Sequence, residues 1–221
     1  MLNKKELSPI KMQEILIYGA GGHAKVVIDT ILQEGKYMII GLIDDRELVP
    51  DLLGFPVFKS LDEISCRPEF FIVAIGDNAV RKQKFELLKE AGIKPATVIH
   101  PSAIISDYAS IGEGSLICLK ASVNTDARIG DNTIINSGAN VEHECVIGSH
   151  VHISSGVNLA GRTRVEEGAF AGISSTTLPG INVGSWSTIA AGAVVIKDVE
   201  PSSKVAGVPA KLMRSKAIQP L

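Results

Sequence analysis

The 221-residue chain is short of cysteine, aromatics and net charge, and each shortage excludes something. Its three cysteines, Cys66, Cys118 and Cys145, are odd in number and far apart. They offer no disulfide framework and no CxxC metal pair, so a reducing, cytoplasmic setting is expected. Aromatic residues are only 5% of the chain, so the core must be aliphatic. With 22 basic against 24 acidic residues the net charge is −2, which argues against a nucleic-acid platform. No apolar run approaches the ~20 residues of a membrane span. The opening Met1-Leu2-Asn3-Lys4-Lys5-Glu6 lacks the apolar stretch of a signal peptide.

What is present is glycine, 21 residues of it, many in the second half, and 45% apolar residues, enough to bury a core. High glycine with few aromatics points to a repeat. Stepping by six from Ile99 to Val195 gives 17 anchor positions, of which 15 are Ile, Val or Leu; the exceptions are Ala171 and Thr177. Four residues after the anchor comes an unbroken series of small residues, from Ala103, Ala109 and Ser115 through Ala139 and Cys145. Glycine often follows the anchor directly, as at Gly112, Gly130 and Gly148, where turn dihedrals are expected to use its freedom. A period of six is neither helical nor strand-like. It fits a parallel β-helix in which three hexads close one 18-residue triangular coil, so 17 hexads make nearly six coils.

The first half alternates apolar strands, at 14–18, 38–43 and 70–75, with helices from Lys25 to about Glu34 and from about Ala79 to Ala91. That alternation implies a parallel sheet. Gly19-x-Gly21-x-x-Ala24 fits the fingerprint in which a glycine turn lets backbone N–H groups approach a pyrophosphate at a helix N-terminus. The ~85 residues available are too few for a full dinucleotide domain. One nucleotide-sugar fits better, held by the loops 19–23, 44–45 and 76–78 at the carboxyl ends of the strands. The expected organisation is a small Rossmann-like βαβ domain over 12–98, the β-helix over 99–200 and a tail over 201–221.

Two passages carry a resemblance: Ile17-Tyr18-Gly19-Ala20-Gly21-Gly22-His23-Ala24-Lys25-Val26-Val27, and Val141-Glu142-His143-Glu144-Cys145-Val146-Ile147-Gly148 continuing to His152. With Asp44-Asp45 and Ala206-Gly207-Val208-Pro209-Ala210-Lys211, they resemble the NeuD/PglD-type bacterial sugar acetyltransferases. The resemblance implies a left-handed β-helix. It also implies a homotrimer with active sites between neighbouring β-helices, and acetyl-CoA as the cosubstrate for a nucleotide-linked 4-amino-4,6-dideoxy sugar. In its light His143 looks like the catalytic base and Glu144 its partner. An imidazole titrates near neutrality and a carboxylate can orient it. Neighbours on a strand face opposite ways, so the pair needs a turn or a subunit boundary to meet. Repeat arithmetic adds Gly161, 18 residues after His143, whose N–H could hold an oxyanion.

The same resemblance suggests Gly21, Gly22, His23, Asp44, Asp45, Gly76 and Asn78 for the nucleotide-sugar. For acetyl-CoA it suggests His152 near the thiol end and main-chain contacts at Ile173 and Ala191, with Lys211 or Arg214 meeting phosphates. Helix capping by His23 and a solvated basic tail remain open. Three histidines, His143, His150 and His152, invite a zinc reading, but only one stands in each plausible column, so no metal is expected. Alternatives are O-acetylation of a sugar of the sialic acid type, and a non-catalytic β-helix binding protein. The identity of the nucleotide and of the sugar stays open.

Overall fold

A computed structural model describes residues 12–46 and 50–213. The N-terminal domain runs β1 (Gln13–Tyr18), α1 (Gly22–Glu34), β2 (Tyr37–Ile43), β3 (Asp51–Leu52), β4 (Phe55–Phe58), β5 (Phe70–Val73), α2 (Asn78–Glu90) and β6 (Lys94–Pro95). The sheet order is β3-β4-β2-β1-β5-β6, parallel apart from the β3–β4 hairpin. Strand β1 is central, and Ile15, Leu16 and Ile17 are fully buried, which is why it reads as a continuous apolar run. The chain departs from β1 to opposite sides at β2 and β5, so the glycine loop lies at a topological switch point. Strands β3, β4 and β6 had no legible sequence signal, being two to four residues long and broken by Pro56 and Pro95. Helix α1 starts at Gly22, earlier than the expected Lys25, so His23 sits in its first turn behind a Gly21 cap.

From Val98 onward the chain is a parallel β-helix of two-residue strands. The first face stacks Val98–Ile99, Leu116–Ile117, Ile134–Ile135, His152–Ile153, Phe170–Ala171 and Thr188–Ile189. The second holds Ile104–Ile105 through Val194–Val195, and the third Ser110–Ile111 through Asn182–Val183. Register advances by 18, as in Leu116 on Ile134. All anchors from Ile117 to Val195 are buried, and the polar exception Thr177 exchanges a hydrogen bond of 2.9 Å with Thr163. Lys204–Ala206 adds one more rung to the first face beside Thr188–Ile189. The β-helix therefore continues past residue 200, and the expected tail over 201–221 begins too early. Backbone pairing, not the hexad phase, which breaks near Pro201, carries that last rung.

The glycines after the anchors serve a different purpose from the one expected. At Gly112, Gly130 and Gly148 a Cβ would fall 2.6, 2.5 and 2.8 Å from the backbone nitrogen of Asp131, Ser149 and Glu167 in the next coil. Close stacking of coils demands them. Left-handed dihedrals fall instead two residues later, at every sixth position from Gly114 to Gly192, including Glu144 (φ 59°) and Trp186 (φ 56°).

The N-terminal domain docks on the first face and on the corner between the third and first. Val98, Leu116 and Ile134 point outward into one core with Ile15, Val27, Ile28 and Ile31. Each such side chain contributes ~1.5–3 kcal/mol of burial. Arg81 of α2, 1% exposed, donates from Nε to Asn132 O (3.1 Å), from Nη1 to Ile75 O (3.1 Å) and from Nη2 to His150 O (2.8 Å). Burial pushes its pKa down to about 9, opposed by Asp77.

Candidate active site

The corner between the second and third faces carries His143 and Glu144. Because Glu144 adopts a left-handed dihedral, the chain turns between the two side chains, and Nδ1 of His143 lies 3.0 Å from Glu144 Oε2. The contact that a strand would forbid is made within one chain. Nδ1–H donating to the carboxylate leaves the Nε2 lone pair free. One coil on, Gly161 sits beneath the ring: a Cβ there would fall 2.5 Å from Nε2 and 2.6 Å from Cε1. Gly161 has no left-handed φ, so glycine stands there to seat the imidazole.

Among the described residues the Gly161 N–H has no hydrogen-bond acceptor. At the same hexad position elsewhere, Glu113 N–H donates to the Asp131 carboxylate (2.8 Å) and Asp131 N–H to Ser149 Oγ (3.1 Å). Eighteen residues after Gly161 stands Pro179, which has no side-chain acceptor. A free main-chain donor thus lies close to a free imidazole nitrogen. Cys145, the next small residue, points inward, is fully buried, and bonds Ala160 O through Sγ at 3.3 Å. Burial raises its pKa to about 11.

The second feature is a cleft of about 530 Å³ at the carboxyl ends of the N-terminal strands. Gly21, Gly22, His23, Asp44, Asp45 and Gly76 line it, as expected, joined by Tyr18, Arg46, Asp77 and Lys84. Asp44 does not face it as a free acceptor. Its carboxylate takes the Ala20 N–H (2.8 Å), Arg46 Nε (2.9 Å) and Arg46 Nη2 (2.7 Å). Burial alone would raise this carboxyl, but the bonds from Arg46 and Ala20 hold it below the usual range. Asp44 fixes the glycine loop and presents Arg46 to the cleft. Lys84 pairs with Asp45 at 2.8 Å and lies 5.0 Å from the Tyr18 ring.

Asn78 is a correction. Its Nδ2 donates to Gly168 O and Ala169 O, both at 3.0 Å, so it pins α2 to the β-helix instead of lining that cleft. His152 is 7% exposed beneath the same loop, with Nδ1 3.2 Å from Gly76 O, Nε2 3.2 Å from Asn136 Nδ2, and the His23 ring 6.1 Å away. Burial, then the Arg81 charge, lowers its pKa to about 3 and that of His23 to about 4, so both stay neutral. Ile173 and Ala191 are exposed and stack on the corner between the first and second faces, where the Gly192 N–H donates to Ile173 O (2.8 Å). Lys211, exposed, lies on the short strand that closes the first face. Arg214 lies outside the described residues. His143, His150 and His152 occupy different corners and faces, and no group of three metal-type ligands occurs among the described residues. Nor is any described helix long and apolar enough to cross a membrane.

Arg46, Lys84 and Arg81 had been missed. Arg46 follows the Asp pair directly and could have been found there; Arg81 sits in a helix with no local signal.

Comparison with known proteins places this geometry. Residues 14–88 match the PglD N-terminal domain family and residues 126–161 the bacterial transferase hexapeptide family. The acetyltransferase domain of PglB from Neisseria gonorrhoeae FA1090, also solved in complex with acetyl coenzyme A, is 36% identical. That alignment covers 91% of this chain and all of the other, with a TM-score of 0.86. PerB from Caulobacter crescentus, solved in complex with CoA and GDP-perosamine, is 35% identical over 91% of this chain and 97% of that one, with a TM-score of 0.85. UDP-N-acetylbacillosamine N-acetyltransferase from Bacillus subtilis (strain 168) is 34% identical over 119 residues, 48% of this chain and 51% of the relative. The chain spans about half the length of the curated relatives it matches. Fold and site together define a class, the hexapeptide-repeat acyltransferases with an N-terminal nucleotide-type domain. Within it, the chain belongs to the NeuD/PglD-type sugar acetyltransferases.

Proposed function

We propose that the protein transfers the acetyl group of acetyl-CoA to the amine of a nucleotide-linked 4-amino-4,6-dideoxy sugar, with His143 as general base. The observation that carries this reading is the His143 imidazole, tied through Nδ1 to Glu144 and seated over Gly161 with Nε2 free. The sugar ammonium first gives one proton to solvent; as the free amine attacks the thioester carbonyl directly, Nε2 accepts its second proton and Glu144 stabilises the imidazolium. The Gly161 N–H receives the developing oxyanion. Collapse expels CoA thiolate, which takes the proton back from His143.

A single prism places its catalytic corner opposite the face that carries the nucleotide cleft. The cleft of one copy is therefore served by His143 of a neighbour, and head-to-tail contacts of this kind close into a ring. That the ring is a homotrimer is what the family resemblance implies. Acetyl-CoA lies along the boundary between neighbouring prisms, with its thiol end toward His152 and its pantetheine against Ile173 and Ala191. Lys211 lies about four and a half coils beyond His143, ~20 Å at ~4.8 Å per coil, a reach suited to the CoA phosphates.

The test is a CoA-release assay over UDP-, GDP- and dTDP-linked amino sugars, run beside light scattering. One amino sugar should support release by an oligomer. An active monomer would overturn the shared site, and release only with hydroxyl acceptors would overturn N-acetylation.

A further inference from the structure

The N-terminal domain already docks on the prism through an apolar core, yet α2 also buries the guanidinium of Arg81 in that interface. All five of its hydrogen bonds go to main-chain carbonyls. A guanidinium buried on neutral acceptors is costly, and an aliphatic side chain of similar length would dock the helix without that cost. The five bonds divide into two sets. Nε and Nη2 donate to the prism, at Asn132 O (3.1 Å), His150 O (2.8 Å) and Val151 O (3.1 Å). Nη1 donates to Ile75 O (3.1 Å) and Gly76 O (3.4 Å), in the loop between β5 and α2. The prism holds the guanidinium, and the guanidinium holds the loop.

His152 acts from the same side. Asn136 Oδ1 takes the Ser137 N–H (2.8 Å), which turns Asn136 Nδ2 to donate to His152 Nε2 (3.2 Å). The imidazole proton therefore sits on Nδ1, which donates to Gly76 O (3.2 Å). In a trans peptide the C=O and the following N–H point in opposite directions. With the Ile75 and Gly76 carbonyls drawn onto Arg81 and His152, the Gly76 and Asp77 N–H groups point away from the prism, toward the cleft that these residues line. Neither N–H has an acceptor among the described residues. A Cβ on Gly76 would meet nothing within 4 Å, and its φ is not left-handed, so neither crowding nor backbone strain calls for glycine there. Glycine leaves bare backbone for a ligand to approach.

We infer that Arg81 is a positioning residue for the nucleotide-sugar: by tying the Ile75 and Gly76 carbonyls to the prism, it presents the Gly76 and Asp77 N–H groups to the ligand. This rests on the reading of that cleft as the nucleotide-sugar site, and adds what holds its wall in shape.

Calorimetry on the full chain tests it, titrating UDP, GDP and dTDP, and CoA separately. Arg81→Lys keeps the charge but has a single nitrogen, which cannot bridge the two sets of carbonyls. Gly76→Ala leaves Arg81 intact, fits the free structure, and puts a methyl group on the wall. The wild type should bind one of the three nucleotides. Each variant should bind it about tenfold or more weakly, and CoA as the wild type does. In the CoA-release assay the loss should fall on KM for the sugar nucleotide, with kcat and KM for acetyl-CoA close to wild type. The double variant should cost little more than the weaker-binding single one, because both changes act on the same N–H groups. If Arg81→Lys binds the nucleotide as the wild type does, loses nucleotide and CoA together, or fails to fold, Arg81 is a structural pin alone and the inference is wrong. Unchanged nucleotide binding by Gly76→Ala, or full additivity in the double variant, overturns it as well. A wild type that binds none of the three nucleotides overturns the reading of the cleft, and the inference with it.

Discussion

Replacing Gly161 by alanine adds one methyl group in the place where the His143 ring rests. The added Cβ would stand 2.5 Å from Nε2, 2.6 Å from Cε1 and 3.1 Å from Cδ2. Carbon contacts relax at ~3.5–4 Å, so the ring must retreat by about 1 Å. It has somewhere to go, since the His143 side chain is 49% exposed. The backbone at Gly161 has an ordinary φ, and alanine in a compatible conformation stabilises a chain by ~0.4–1 kcal/mol through the unfolded state. Stability should therefore hold or rise slightly, while catalysis should fall. A ~1 Å misplacement can cost about 10²-fold, and losing the base altogether about 10²–10⁴-fold. The expected result is a kcat reduced at least about 100-fold, with the thermal midpoint within a few degrees of wild type. Adding His143→Ala to Gly161→Ala should cost little more, because both changes disable one unit. Wild-type turnover by Gly161→Ala in the CoA-release assay, or full additivity in the double variant, would refute the reasoning.

Alone, His143→Ala should lose about 10²–10⁴-fold in kcat with modest change in either KM, read from initial rates with both substrates varied. Those rates should follow a sequential pattern; ping-pong kinetics would revive an acyl-enzyme. Cys145→Ser should keep most activity, because the buried thiol, raised to about 11, only fills the prism wall; a trapped acetyl-Cys145 would contradict this. The pH dependence of stability follows from His23 and His152, whose folded values of about 4 and 3 lie below the ordinary 6.5. The unfolded chain binds these protons first, so their contribution is complete above ~6.5 and is lost as pH falls toward the folded values. Each histidine adds a slope of up to ~1.4 kcal/mol per pH unit in that window. Melting curves from about pH 7 to 4.5 should fall, less steeply for His152→Gln, and identical slopes would show the histidine uninvolved.

The repeat was legible because it is local. Each hexad turns one corner by itself, so the six-residue period, the aliphatic anchors and the 18-residue step from His143 to Gly161 stand in the sequence. The buried central strand and its glycine turn were legible for the same reason: a strand enclosed on both faces must be apolar along its whole length. The tertiary structure alone decided what lies across from what. It closed His143 onto Glu144 through a left-handed residue, and it showed that the glycines after the anchors yield to the next coil's backbone. It also turned Asn78 toward Gly168 and Ala169, and buried His152 under the Gly76 loop. Those partners lie 76 to 91 residues apart, and only the docking of the α/β domain on the prism's first face brings them within reach. A side chain's spacing can place it on a face, but what covers that face is fixed by packing between distant segments.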